Sequence, residues 1–221
     1  MGTGSQTACV NTAFCYQMIT IHFSPIEALP NAVIQPKGLV SKTFLGRGVT
    51  TFHQAAYYAG RLPYGHNRSS SDAMILFKDG FGTCLTKHGV VARLAEELTL
   101  SVYRCEGFYP LTDKIVTGVD AILAEYGLPY IPRTHCFLTY EKLYVDLTTG
   151  NCTGKNGLID TYLKIFQVKP EPRTKSDETY RSYYAEVCSA DPVFAHVGVE
   201  GMFDVLKRCS ALNTAICLRA K

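Results

Sequence analysis

Three residues carry side chains that together could do acyl chemistry: Cys84, His135 and Asp146. A thiol must ionise before it attacks, and a free cysteine titrates at about 8.5. Cys84 follows Gly80-Phe81-Gly82-Thr83 and opens an apolar helical repeat, Leu85, His88, Val91, Leu94, Ala95 and Leu98. A helix N-terminus offers unpaired N–H groups and a partial positive charge, both of which favour a thiolate. Glycines at 80 and 82 remove side chains in front of the sulfur, so a substrate carbonyl could approach, with Gly82 and Thr83 beside it. The first backbone N–H groups of the helix would then serve an oxyanion.

A nucleophilic thiolate also needs a base, and the base needs a group that orients it. A hairpin over residues 134–148 supplies both. If the loop is 140–141 or 139–142, His135 lies directly opposite Asp146. If it is Glu141-Lys142, Asp146 lies diagonally from His135 on the same face. An odd loop would separate the two. The alternation predicts a site face of His135, Phe137, Tyr144 and Asp146, and a core face of Cys136, Leu138, Leu143 and Val145.

Other residues invite smaller roles. Gln54, on a short helix before the cysteine, could donate to an oxyanion, and Asn67 and Arg68 could line a substrate cleft. His88 lies one helical turn after Cys84, where it either tunes the thiol or is a satisfied core histidine. Lys87 reads as an exposed helix residue. Tyr180, Tyr183 and Tyr184 read as packing. Zinc on Cys84, His88, His135 and Cys136 is the chemical rival. It is disfavoured because structural zinc sites bring their ligands in close pairs, and Cys136 points away from His135 in a regular strand. No metal or cofactor is therefore expected.

The run Gly82-Thr83-Cys84-Leu85-Thr86-Lys87-His88, then His135 on one strand and Asp146 on the next, resembles the transglutaminase-like branch of the papain-like cysteine enzymes. It is closest in character to the small bacterial transglutaminase-like proteins. Leu62-Pro63-Tyr64-Gly65 with Asn67 adds to the resemblance, which covers about residues 51–150. The resemblance implies an α+β fold with a Cys-bearing helix packed on an antiparallel sheet. It implies Cys84 as nucleophile, His135 as base and then acid, and Asp146 as orienter. The chain contains no Trp, and Leu85 stands where animal transglutaminases carry one, which argues against calcium-dependent cross-linking. Gly80-Phe81-Gly82 likewise departs from the Arg-Gly-Gly run of arylamine N-acetyltransferases.

The elements that must position these residues follow from periodicity. Residues 17–23 alternate as a half-buried strand, and 24–37, with three prolines, is a loop. Residues 51–59 read as a short helix, 66–72 as an exposed loop and 85–98 as a strong helix. A strand is expected over 101–105, a helix over 120–126 closed by Gly127, and strands over 134–140 and 143–148. Residues 169–175 have linker composition, and two helices follow near 176–188 and 198–210. Residues 1–12 are small and polar. The whole reads as one transglutaminase-like domain over 1–221, with its core at about 51–150 and a C-terminal helical extension over 151–221.

Composition narrows the class further. The chain has 221 residues, 47% hydrophobic and 19% charged, with a net charge of +3. That excludes a disordered or coiled-coil protein and gives no basic field for nucleic acid or a membrane surface. Nine cysteines, an odd count without a C-x-x-C pair, suggest free thiols in a reducing compartment. No run long enough to span a membrane and no basic-then-apolar leader is visible, so a cytoplasmic location is expected. The expected activity is thiol hydrolysis of an amide or ester carbonyl in a small peptide or amide. Acyl transfer by the same triad, or a non-catalytic binding module on the same fold, are the alternatives. The sequence does not define the oligomeric state.

Overall fold

The helical repeat that begins at Cys84 and the alternation that runs through His135 become the two elements that carry the site. A computed structural model describes residues 18–69, 72–149, 151, 153–169 and 176–219. In chain order the elements are β1 (Ile19–Thr20), a 3-10 turn (Ile26–Ala28), α1 (Leu39–Leu45), α2 (Phe52–Arg61), α3 (Ile75–Asp79), α4 (Cys84–Leu98), β2 (Tyr103–Leu111) and α5 (Val119–Glu125). Then come β3 (Ile131–Tyr140), β4 (Leu143–Val145), β5 (Thr161–Tyr162), β6 (Lys164–Val168), α6 (Ser176–Ala190), α7 (Pro192–Ala195) and α8 (Gly198–Arg219). The main sheet is antiparallel in the order β4-β3-β2-β6, and β1 pairs with β5 in a separate ribbon. The expected mixture of helix and antiparallel sheet is therefore present.

Two clusters of buried side chains hold the elements together. One joins the apolar stripe of α4 (Val91, Leu94, Ala95, Leu98) to Phe52, Ala55, Ala56 and Ala59 of α2, and to Leu138 and Val145 of the hairpin. These α2 residues recur at helical spacing, and Thr51 and Gln54 form a capping box that starts the helix. The other joins Phe108, Ile131 and Phe137 of the sheet to Tyr183, Tyr184, Val187, Met202 and Val205 of α6 and α8. Tyr183 stacks on Phe108 at 4.0 Å, and the Tyr184 hydroxyl donates to the Pro132 carbonyl at 2.8 Å, so the tyrosine stripe packs as expected.

Several expectations need correction. The chain after residue 150 is more than a helical extension, since β6 completes the main sheet against β2. The strand expected over 17–23 shrinks to two paired residues, with Ile19 40% exposed while Ile21 is buried. β2 runs to Leu111 rather than ending at 105. Both faces of the hairpin are buried, with Phe137 and Leu138 alike 0% exposed, and His135, Phe137, Tyr144 and Asp146 share one of them. Phe137 packs against Phe23, Tyr144 and Tyr162 on one side, while Leu138 joins the α4 cluster on the other. Leu143, assigned to the core, is 40% exposed at the hairpin tip. Residues 1–12 and 170–175 of the expected linker lie outside the described residues. Among the described residues no helix is long and apolar enough to cross a membrane.

Candidate active site

Cys84 is the first residue of α4, one residue earlier than the apolar repeat alone predicts. Thr83 precedes it in extended conformation, at φ −81° and ψ 177°, and makes no side-chain cap. The first helical N–H to find a helical acceptor is that of Lys87, which donates to the Thr83 carbonyl at 3.1 Å. The N–H groups of Cys84 and the residues just after it therefore have no partner within the helix.

The approach to the cysteine is built tightly. Gly80 ends α3 in left-handed conformation at φ +71°, where a side chain would be strained. The Gly82 N–H donates to the Pro63 carbonyl at 3.0 Å. A Cβ on Gly82 would fall 2.3 Å from the Thr86 hydroxyl and 2.6 Å from a Leu76 methyl. The bare Cα of Gly82 thus admits the chain's own packing, rather than a substrate carbonyl. Asn67 ties the same segment together. Its Nδ2 donates to the Phe81 carbonyl at 2.7 Å and to Asp79 at 3.1 Å, and its Oδ1 accepts from the Thr86 hydroxyl at 2.8 Å. Asn67 is accordingly a positioning residue of the cysteine loop, not a lining residue held ready for substrate. Arg68 pairs with Asp79 on the surface at 2.8 Å. Gln54 is corrected as well: its side-chain carbonyl accepts from the Thr50 and Thr51 N–H groups and so caps α2.

β3 and β4 meet in the register Leu138 with Val145, Thr139 with Tyr144 and Tyr140 with Leu143. The loop is Glu141-Lys142, with φ of +47° and +70°, the left-handed pair that a type I′ turn requires. It is the even loop that sets Asp146 diagonally from His135, and the two side chains meet. His135 Nε2 lies 2.9 Å from Asp146 Oδ2. The other carboxylate oxygen accepts from the Thr148 N–H at 2.8 Å and the Thr148 hydroxyl at 2.7 Å. With Nε2 taken by Asp146, the buried Nδ1 is the ring edge left open, and the charge of His135 lowers the pKa of the Cys84 thiol.

Cys84 is half-buried and Cys136 is buried, and the two thiols share a hydrogen bond. That bond pulls the Cys84 pKa well below its ordinary value. Burial opposes the shift, while the charge and hydrogen bond of His135, and then the charge of Lys155, reinforce it. Cys136 moves the opposite way, held protonated by the same bond and by burial. Cys84 is the partner that ionises because it alone of the two stands at a helix N-terminus. Burial disfavours a charged His135, but the Asp146 and Cys84 charges outweigh it and raise its pKa to about 9. Asp146, despite burial, is held well below the usual carboxylate range, chiefly by His135. All three shifts run in the direction of a thiolate–imidazolium pair braced by a carboxylate.

His88 is the satisfied core histidine. Its Nδ1 donates to the Cys84 carbonyl at 2.7 Å and its Nε2 accepts from the Leu147 N–H at 2.8 Å. Nε2 also lies 3.4 Å from Asp146 Oδ1, but in this tautomer it has no proton to give the carboxylate. Lys87, expected to be exposed, is 0% exposed. Its ammonium donates to the Gly60 carbonyl at 3.0 Å, and to the Leu62 carbonyl and the Asn151 side chain. Burial lowers its pKa to about 8, against the pull of Asp146.

Sequence reasoning missed Cys136 as a partner of Cys84, and it missed Arg133, Lys155 and His66, whose charges act at the same place. Arg133 was within reach, since it lies two residues before His135 and so on the same pleat face. A cleft of about 940 Å³ borders the triad at Asp146 and is lined by Tyr57, Leu62, Tyr64, Leu147 and Asn151. Cys84 and His135 do not line it. Among the described residues no group of three or more His, Cys, Asp or Glu is placed to hold a metal ion. Comparison with family models, with curated proteins and with solved structures finds no match.

Proposed function

We propose that this chain is a thiol hydrolase of the papain-like, transglutaminase-like kind, acting on an amide or ester carbonyl through an acyl-enzyme on Cys84. The observation that carries the reading is the 2.9 Å contact of Asp146 with His135, whose open Nδ1 edge and charge act on Cys84 at the first residue of α4. The Cys84 thiolate adds to the carbonyl carbon, and the N–H groups at the start of α4 receive the oxyanion. His135, protonated on Nδ1, gives that proton to the departing amine or alkoxide as the carbon–heteroatom bond breaks. Water then attacks the thioester, His135 Nδ1 takes its proton, and the thiolate leaves with the acid released. Asp146 keeps the ring oriented and stabilises the imidazolium throughout. Cys84, Cys105, Cys136, Cys188 and Cys209 are all free thiols, which suits a reducing, cytoplasmic setting.

Iodoacetamide labelling at pH 6, read by peptide mass spectrometry, tests the nucleophile. Cys84 should be alkylated at least ~100-fold faster than a free thiol of ordinary pKa, which is almost wholly protonated at that pH. Reaction no faster than free cysteine would leave a binding module as the reading. Trapping the acylated Cys84 from an activated ester, with and without an added amine, separates hydrolysis from acyl transfer.

A further inference from the structure

β2 and β3 pair Tyr109 with Arg133 and Gly107 with His135. Because side chains alternate along a strand, Arg133 stands on the same pleat face as His135, with Tyr109 beside it. Lys155, from the segment between β4 and β5, reaches over this group, and its ammonium lies 5.9 Å from the centre of the Tyr109 ring. Arg133 Nη1 and Tyr109 Oη are both buried and make no hydrogen bond among the described residues. Among the described residues neither Arg133 nor Lys155 forms an ion pair with a carboxylate. A buried guanidinium edge without an acceptor costs several kcal/mol relative to water, so such an arrangement is kept for something.

Stabilising the thiolate does not use up this charge. Beside the row of Asp146, His135 and Cys84 stand two further basic groups, Arg133 and Lys155, and burial lowers the pKa of Lys155. Both outer cations sense the thiolate, and Lys155 senses Arg133 as a repulsion. His66, which feels both Arg133 and Cys84, lies at the same place. The donors at this place are a planar guanidinium fork with a buried unpartnered edge, an ammonium and an unpartnered phenol O–H. That donor set matches a carboxylate, which the fork can hold through two parallel hydrogen bonds.

We propose that Arg133 and Lys155 form a carboxylate subsite beside Cys84, so that the acyl group passed to the thiol carries its own carboxylate, as a dicarboxylic or acidic amino-acid acyl group does. This deepens the proposed hydrolase and rests on Cys84 being its nucleophile. The substrate's carboxylate supplies the acceptor that Arg133 Nη1 lacks and faces the two basic side chains. It thereby fixes the acyl chain, with the scissile carbonyl placed over the sulfur.

The test compares two alkylating agents that differ only in a carboxylate. In both, the thiolate displaces iodide from the same carbon; iodoacetate is charged and iodoacetamide is neutral. On the full chain, Cys84 should react with iodoacetate about tenfold faster than with iodoacetamide, a ratio worth about 1.4 kcal/mol. Since His135 alone would favour the anion, the decisive reading is the change in ratio on substitution. Arg133→Gln should bring the ratio down towards that of the imidazolium alone, and Lys155→Gln should lower it by less. Succinate should protect Cys84 from iodoacetamide, and succinamide should not; this arm needs no variant and holds if Arg133→Gln fails to fold. An unchanged ratio in the folded variants together with no protection by succinate overturns the subsite and leaves the nucleophile standing. Protection by inorganic phosphate but not by succinate overturns the carboxylate assignment. Failure of Cys84 to react with either agent removes the nucleophile, and the subsite with it.

Discussion

On the α4 side of the site, buried polar groups are fully occupied. Lys87 has three acceptors for its ammonium, and His88 has a partner at each ring nitrogen. On the sheet side, equally buried groups are left partly open: His135 Nδ1, Arg133 Nη1 and Tyr109 Oη have no conventional acceptor or donor. His88 and His135 make the contrast sharp, since their ring centres are only 6.3 Å apart. One imidazole joins α4 to the strand end beyond β4 and is inert. The other leaves one buried edge without a partner. Burial and residue type are the same, and the number of satisfied nitrogens separates structure from chemistry.

The strongest way to break this comparison is to remove the brace on the open side. Asp146→Asn should lower turnover of an activated ester by about 10⁴-fold, because the ring loses its orienting carboxylate and the imidazolium its partner. A loss under tenfold in a folded variant would show that Asp146 merely caps the Thr148 turn. The pH profile belongs to the same prediction. The His135 pKa is raised to about 9, so the charged ring and the stability it brings are fully present below pH 6.5 and lost as pH rises through 9. Urea midpoints for the natural chain and for His135→Gln should therefore differ most near pH 6 and converge above pH 9.

On the closed side the loss should be of stability. Lys87→Met strands the Leu62 carbonyl and Asn151 Oδ1 and leaves the Gly60 carbonyl only the Asn151 N–H, and should cost about 2–4 kcal/mol in urea unfolding. A change below ~0.5 kcal/mol would mean that water satisfies those groups as well as the ammonium does. Between the sides stands Cys136. Cys136→Ala removes the hydrogen bond to the thiolate and should slow iodoacetamide labelling of Cys84 at pH 6 about tenfold, while Cys136→Ser keeps a donor and should recover most of the rate. Equal slowing in both variants would point to packing rather than hydrogen bonding. The smallest effect concerns two buried tyrosines. Tyr184→Phe gives up a hydrogen bond and should cost about 1 kcal/mol, whereas Tyr109→Phe gives up none and should be neutral within ~0.5 kcal/mol. Equal costs would erase the distinction drawn for Tyr109.

The elements nearest the chemistry were the legible ones. The apolar stripe from Leu85 to Leu98 marked α4, and period-2 arithmetic put His135 and Asp146 on one face for any even loop. Neither reading depended on distant contacts. What escaped did depend on them. α1 is held at its start by Glu97, whose carboxylate accepts from the Val40 and Ser41 N–H groups at 2.9 and 2.7 Å, a tie across most of α4 that no local pattern reveals. Lys87 looked like a solvated helix residue because the carbonyls that hold it come from the end of α2. β5 and β6 are short, and their place beside β1 and β2 is set by the fold rather than by alternation. Gly82 looked like an opening for substrate because only the folded loop shows the Thr86 and Leu76 side chains pressed against it.

The tip of the β3–β4 hairpin bears a consequence of its own. Exposed turns are where chains ordinarily absorb extra residues without harm. Glu141 and Lys142 are exposed, yet neither is a glycine suited to its left-handed backbone. One added residue there would reverse the outlook of everything that follows, carrying the carboxylate of Asp146 to the wrong side of its strand. Two added residues would bring it back. The solvent-facing tip is thus a parity lock, and the length of a surface loop becomes a condition for the meeting of imidazole and carboxylate at the foot of the ribbon.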